Sequence, residues 1–208
     1  VNSTGCDSIL TLNLTVKPTP VADLTVSQAQ ICLGQSVTVN YAGTLNAANI
    51  YSFNPDGGTI LSGSGAGHYN ITWTTPGVKN VSYQVTLNGC VSNLATKQVN
   101  VVAGADLKLE YDSDICINAT ASILAVTDVV PTGFSWNLNG ATLVSGSTAT
   151  AGPLTLSWGS TGPKTVTLQV DNQGCLSNID TAFIDVHELP TANISSLDGK
   201  NIYCETDQ

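Results

Sequence analysis

Six cysteines (Cys6, Cys32, Cys90, Cys116, Cys175 and Cys204) and two histidines (His68 and His187) are the side chains of this 208-residue chain best suited to covalent, redox or acid–base work. No two cysteines stand at the Cys-x-x-Cys spacing that a zinc ribbon or a thioredoxin-like exchange site requires. Disulfide bonds are therefore their expected chemistry, and an oxidising exterior the expected setting. The two imidazoles occupy non-equivalent positions far apart in the chain, which argues against a catalytic pair. There is no His-Glu-x-x-His, no Gly-x-Ser-x-Gly and no Walker loop. The run Ser62-Gly63-Ser64-Gly65-Ala66-Gly67 lacks both the lysine and the following helix that phosphate binding needs, and reads as a glycine-rich hairpin tip. The residues predict neither an enzyme nor a cofactor.

Charge narrows the partners. All six basic residues are lysines, against 15 acidic ones, for a net charge of -9 with only 10% charged residues. Nucleic acid needs clustered Arg and Lys to release counterions, and an anionic membrane surface needs the same. Neither is an expected partner. No stretch approaches the ~18 apolar residues of a membrane span, and the chain does not open on a basic, apolar leader. With Met absent, residue 1 is not a translation start, so a mature chain or a fragment is expected.

The elements that must position the cysteines come in copies. Residues 77–94, GVKNVSYQVTLNGCVSNL, match residues 162–179, GPKTVTLQVDNQGCLSNI, at an offset of 85. YSFN (51–54) matches FSWN (134–137) at an offset of 83, and Trp73 falls in register with Trp158. GCDSIL (5–10) resembles the end of a preceding copy, and TANISSLDGKNIYC (191–204) the start of a following one. The expected organisation is the end of one repeat over 1–18, whole repeats over 19–103 and 104–189, and the start of another over 190–208. The joints are only a few residues long and two of them contain proline, which predicts a semi-rigid array extended like a rod.

Within a repeat the apolar period is two. Val37, Val39 and Tyr41 alternate with polar residues, as do Val81, Tyr83, Val85 and Leu87, and Val166, Leu168 and Val170. Pro55-Asp56-Gly57-Gly58, Asn88-Gly89 and Asn139-Gly140 supply the positive-φ residues of tight hairpins. About seven short strands per repeat predict an all-β, two-sheet sandwich.

Tyr51-Ser52-Phe53-Asn54-Pro55-Asp56-Gly57-Gly58 resembles the core of PKD domains, and Phe134-Ser135-Trp136-Asn137-Leu138-Asn139-Gly140 is a second copy. Trp73-Thr74-Thr75-Pro76-Gly77, followed by a Val-rich strand and Asn88-Gly89-Cys90, is similar to the Cys-containing PKD-like or Ig-like repeats of secreted and surface proteins of Bacteroidetes-type bacteria. The resemblance implies tandem Ig-like (PKD-like) β-sandwiches in an extended array. It also implies export to the cell surface, and a role as spacer, adhesive stalk or filament.

The repeat organises the cysteines. Cys32 and Cys90 are 58 residues apart and Cys116 and Cys175 are 59 apart, so in-unit bonds 32–90 and 116–175 are favoured, each worth about 4 kcal/mol by loop-closure entropy. Cys6 and Cys204 are then left for neighbouring repeats. Against this stands topology: Cys32 precedes the second strand of an Ig-like sandwich and Cys90 follows the sixth, at opposite ends. The alternative bond, Cys32 to Cys175, would staple two repeats together.

The remaining candidates have plain readings. Asp112 and Asp114, with Asp106 nearby, are weak Ca²⁺ ligand candidates, but the first repeat has Ser27, Ala29 and Gln30 there, and a solvated acidic loop is preferred. Tyr51, Phe53, Trp73, Phe134, Trp136 and Trp158 are expected in the cores, although Trp73, Trp136 and Trp158 could instead form a sugar-stacking platform. Asp7-Ser8-Ile9 and Asp180-Thr181-Ala182 resemble the O-glycosylation acceptor of Bacteroidetes, with Ser8 and Thr181 as acceptors. The leading reading is a structural or adhesive module whose partners are neighbouring repeats, other copies in a filament, or surface glycans. The alternatives are a carbohydrate-binding or spacer module of a secreted polysaccharide-degrading enzyme, and a subunit that donates a strand to its neighbour.

Overall fold

Alternation of Val, Leu and Ile with Thr, Ser and Asn gives strands buried on one face only. In the computed structural model, which describes residues 10–193, every regular element is a strand. The chain divides at Gly104–Ala105 into two compact units. The first holds β1 (Leu24–Val26), β2 (Gln30–Cys32), β3 (Ser36–Tyr41), β4 (Ile50–Asn54), β5 (Thr59–Ser62), β6 (Tyr69–Thr72), β7 (Gly77–Leu87), β8 (Cys90–Val91) and β9 (Ala95–Val102). The second repeats the series as β10 (Leu107–Tyr111), β11 (Asp114–Cys116), β12 (Thr120–Thr127), β13 (Gly133–Asn137), β14 (Thr142–Ser145), β15 (Leu154–Ser157), β16 (Gly162–Asn172), β17 (Cys175–Leu176) and β18 (Asp180–His187). Residues 10–18 and 190–193, the described parts of the terminal segments, hold no strand.

Each unit is a sandwich of two sheets. One has the order β1-β3-β6-β5, and the other β2-β9-β7-β4 with β8 hydrogen-bonded to β7. The second unit has the same orders, β10-β12-β15-β14 and β11-β18-β16-β13 with β17 on β16. This is the two-sheet strand order of an immunoglobulin-like sandwich. Val37, Val39, Ile71, Val81, Tyr83 and Val99 fill the first core, and Ile123, Leu154, Leu156, Val166, Leu168 and Ile184 the second. Each fully buried aliphatic side chain contributes roughly 1.5–3 kcal/mol.

Nine strands per unit replace the expected seven for two reasons. The first strand changes sheets: β1 pairs antiparallel with β3, and the chain then crosses to run as β2, parallel with β9. The cysteine-bearing hairpin adds β8 at the end of β7.

The turns differ from expectation as well. Asn88 (φ 50°) and Gly89 (φ 85°) do close a two-residue hairpin between β7 and β8. Asp56-Gly57 and Asn139-Gly140 have the same pair of positive φ angles, yet they carry the chain from β4 to β5 and from β13 to β14, strands of opposite sheets. Positive φ specifies how sharply the backbone turns, and the apolar faces on either side decide whether the turn pairs two strands or wraps around the core.

Candidate functional site

The sites with chemistry are the two ends of each sandwich, where a cysteine is fixed by a different device at each pole. At the pole where the chain enters a unit, the device is the β7–β8 hairpin. Leu87 faces Cys90 across Asn88-Gly89, and Ser92 follows with only 5% exposure. Its hydroxyl accepts a hydrogen bond from Val85 N (3.0 Å) and donates one to Asn93 O (2.7 Å), while its backbone N–H donates to Val85 O. Gln84 Nε2 donates to Ser92 O. The second unit reproduces every one of these bonds around Ser177, with Val170, Asn178 and Gln169. Gly-Cys-x-Ser-Asn therefore encodes a locked hairpin that presents Cys90 or Cys175 at the entry pole. The serines were legible as part of the duplicated GCVSNL and GCLSNI, but nothing in composition marked them as buried.

At the exit pole the device is a parallel ladder. Ile31 is buried, so the alternation of β2 turns Cys32 to the other face of the strand. Gln30, Ile31 and Cys32 pair with Asn100, Val101 and Val102 of β9, and Leu33 N donates to Val102 O at 2.8 Å. In the second unit Asp114, Ile115 and Cys116 pair with Asp185, Val186 and His187, and Ile117 N donates to His187 O. A side-chain pair closes this ladder: His187 Nε2 lies 3.1 Å from Asp114 Oδ1. The hydrogen bond from Ser113, and then that from His187, hold the Asp114 carboxyl below its ordinary 3.8. The bond to Asp114 raises His187 above 6.5.

The two poles are far apart, which corrects the favoured pairing. Cys32 sits level with Val102, beyond the start of β7, and Cys90 sits beside Leu87 at its end. The 11 residues of β7 separate them, a span of about 35 Å at ~3.3 Å per residue. A disulfide needs Cα atoms within about 7 Å. The same span, along β16, separates Cys116 from Cys175. Accordingly the bonds 32–90 and 116–175 do not form. Cys90 and Cys116 are free thiols, each half-buried, while Cys32 and Cys175 are both disulfide-bonded. Cys6 and Cys204 lie outside the described residues.

Trp73 is 2% exposed and donates through Nε1 to Pro55 O (3.1 Å) and Asp56 O (3.3 Å), so it ties the sheet-crossing turn to the core and offers no face to a sugar. Trp158 is buried likewise, but its Nε1 has no partner. The turns explain the difference. A methyl on Gly58 would lie 2.7 Å from the Trp73 Nε1 and 2.6 Å from Ile71, and the second repeat has Ala141 at that position. Tyr51 and Phe53 are half-buried against the first core, Phe53 stacked on Tyr69 at 4.2 Å, and Phe134 and Trp136 pack against the second. Trp136 Nε1 donates to Thr150 O. Trp73 and Trp136 belong to different units.

The acidic candidates do not converge. Asp112 Oδ2 accepts from Ser122 N, Asp114 is engaged by Ser113 and His187, and Asp106 N donates to Asp128 Oδ1. Among the described residues no three His, Cys, Asp or Glu side chains are grouped to hold a metal ion. His68 Nδ1 lies 3.0 Å from Asn40 Oδ1, in the other unit from His187. Thr181 is half-buried in β18, opposite Thr167 of β16. Ser8 lies outside the described residues, and its counterparts in the repeat are the buried Ser92 and Ser177.

No family model matches the chain, and no curated protein does. Solved structures do. The titin I-band fragment I67–I69 superposes with a TM-score of 0.51 at 11% identity, over 83% of this chain and 67% of that one. The N-terminal eight Ig domains of Down syndrome cell adhesion molecule match at 0.48 and 12% identity, over 83% of this chain and 25% of that one. The fibronectin(III)-like modules of Clostridium thermocellum CbhA match at 0.37 and 15% identity, over 83% and 100%. The titin superposition agrees with the strand order of the two units: the chain is built of tandem immunoglobulin-like β-sandwiches.

Proposed function

We propose that this chain is a non-enzymatic spanning module of an extracellular surface protein, a stalk, adhesin or filament of a Bacteroidetes-like bacterium, and that its work is to hold distance under tension. The observation that carries this reading is the duplicated sandwich whose exit-pole strand is paired in parallel with its last strand. Force applied at the two ends of a unit pulls β2 and β9 in opposite directions along their length. All the bonds of that ladder are then loaded in shear together, whereas an antiparallel hairpin pulled at its open end would unzip one bond at a time. The sheet supplies stiffness, and a weakly charged surface rich in hydroxyls supplies solubility without ionic stickiness. The carbohydrate-binding alternative loses its best candidate with the burial of Trp73.

Single-molecule extension of the chain in reductant tests the reading. Two unfolding events are expected, each releasing roughly 25–30 nm, the contour length of an ~85-residue fold. A featureless extension, or saturable binding of a glycan that a Trp136 substitution abolishes, would overturn it.

A further inference from the structure

The four described cysteines are of two kinds. Cys32 and Cys116 sit on exit-pole ladders, and Cys90 and Cys175 on entry-pole hairpins. Of each kind one is disulfide-bonded and one is free. The free thiols therefore occupy the very positions at which the other repeat forms a disulfide. Neither can reach the other described cysteine of its own unit, about 35 Å away along the sheet. Both are half-exposed, and the Cys90 thiol's contact with the chain outside its hairpin is a long one, 3.9 Å from Sγ to Lys17 O.

We propose that Cys90 and Cys116 are the open halves of a head-to-tail disulfide, in which the exit-pole Cys116 of one molecule bonds the entry-pole Cys90 of a second copy of this chain. A contact between unlike poles is heterologous, so a dimer still presents one free thiol of each kind, and copies go on adding unless the rotation between them closes a ring. The product is a covalent polymer. The oxidant is a low-molecular-weight disulfide. One protein thiolate attacks it, releasing one small thiol and leaving a mixed disulfide. The second protein thiolate attacks the protein sulfur of that mixed disulfide and releases the other small thiol. Two protein thiols are oxidised and one small disulfide is reduced to two thiols, with the two protons carried by the products. The proposal extends the spanning role by naming its partner, and rests on that reading only for its biological use.

The test uses the full chain with Cys6→Ser and Cys204→Ser, so that only the described cysteines remain, incubated in glutathione disulfide with reduced glutathione. Non-reducing electrophoresis is expected to show a ladder of multimers, and mass spectrometry of the digest a peptide joining Cys116 to Cys90. Adding Cys90→Ser or Cys116→Ser alone should leave monomer, while an equimolar mixture of the two variants should give dimer, because each supplies the pole the other lacks. Abundant homodimer from either single variant, or thiols that end only as glutathione adducts, would overturn the polymer. Either result would leave the force experiment, and hence the spanning role, standing.

Discussion

Replacing Ser92 or Ser177 with Ala strips a buried hydrogen-bond acceptor from Val85 or Val170 N–H and leaves that donor without the hydroxyl. Leaving a buried donor unsatisfied costs about 1–3 kcal/mol. Urea unfolding should show a loss of that size, and hydrogen exchange at Val85 or Val170 should quicken. A Ser→Ala variant as stable as the parent would mean that the turn, and not the hydroxyl, locks the hairpin. Gly58→Ala tests the other residue-scale constraint. Its methyl meets the Trp73 indole and Ile71, and we expect a destabilisation of about 1–3 kcal/mol from overpacking. The second repeat already lives with Ala141 at this position, and its Trp158 N–H goes unpaired. Two copies of one fold thus differ in which cost they accept: an entropically expensive glycine, or an orphaned indole donor.

At the scale of elements, the parallel ladders β2/β9 and β11/β18 were the least legible feature of the sequence. Val37, Val39, Val81 and Val85 announce their strands by alternation, and all four are buried. Three-residue strands such as Gln30-Ile31-Cys32 have no period to read, and their pairing with a strand some 70 residues later leaves no local mark. The turns were legible in backbone angle and not in destination, because Asp56-Gly57 and Asn88-Gly89 have the same φ signs but join different kinds of neighbours. The cysteine poles follow from these ladders, so the pairing 32–90 failed where the topology objection had pointed. Leu33→Pro examines the first ladder directly, since it removes the N–H that donates to Val102 O. One of the two force peaks should fall and the other stay. The second ladder has a pH signature. His187 is raised, so its contribution is complete below about 6.5 and fades as pH rises through its folded value. Asp114 is lowered, so its contribution is complete above 3.8 and fades as pH falls through its folded value. The pair is therefore fully formed between those two limits. Proton NMR should place the His187 midpoint above 6.5, and Asp114→Asn should bring it down.

For the whole molecule, the arrangement of thiols decides what reduction does. A sandwich closed by its own disulfide loses 2–5 kcal/mol when that bond is cut. Here each core is filled by aliphatic and aromatic side chains on strands that pair without any bond between the two described cysteines of a unit. Reduction should then leave the far-ultraviolet circular dichroism of the chain unchanged and cost each unit less than the roughly 2–5 kcal/mol that loss of an internal bond brings. Alkylation before reduction should mark Cys90 and Cys116, and alkylation afterwards should add Cys32 and Cys175. The two measurements must agree. Extensive unfolding on reduction, or protection of Cys90 and Cys116 from alkylation in the monomer, would show bonds within the units and return the cysteines to a purely internal role. If instead the sandwiches survive reduction intact, the disulfides do not decide whether each one folds.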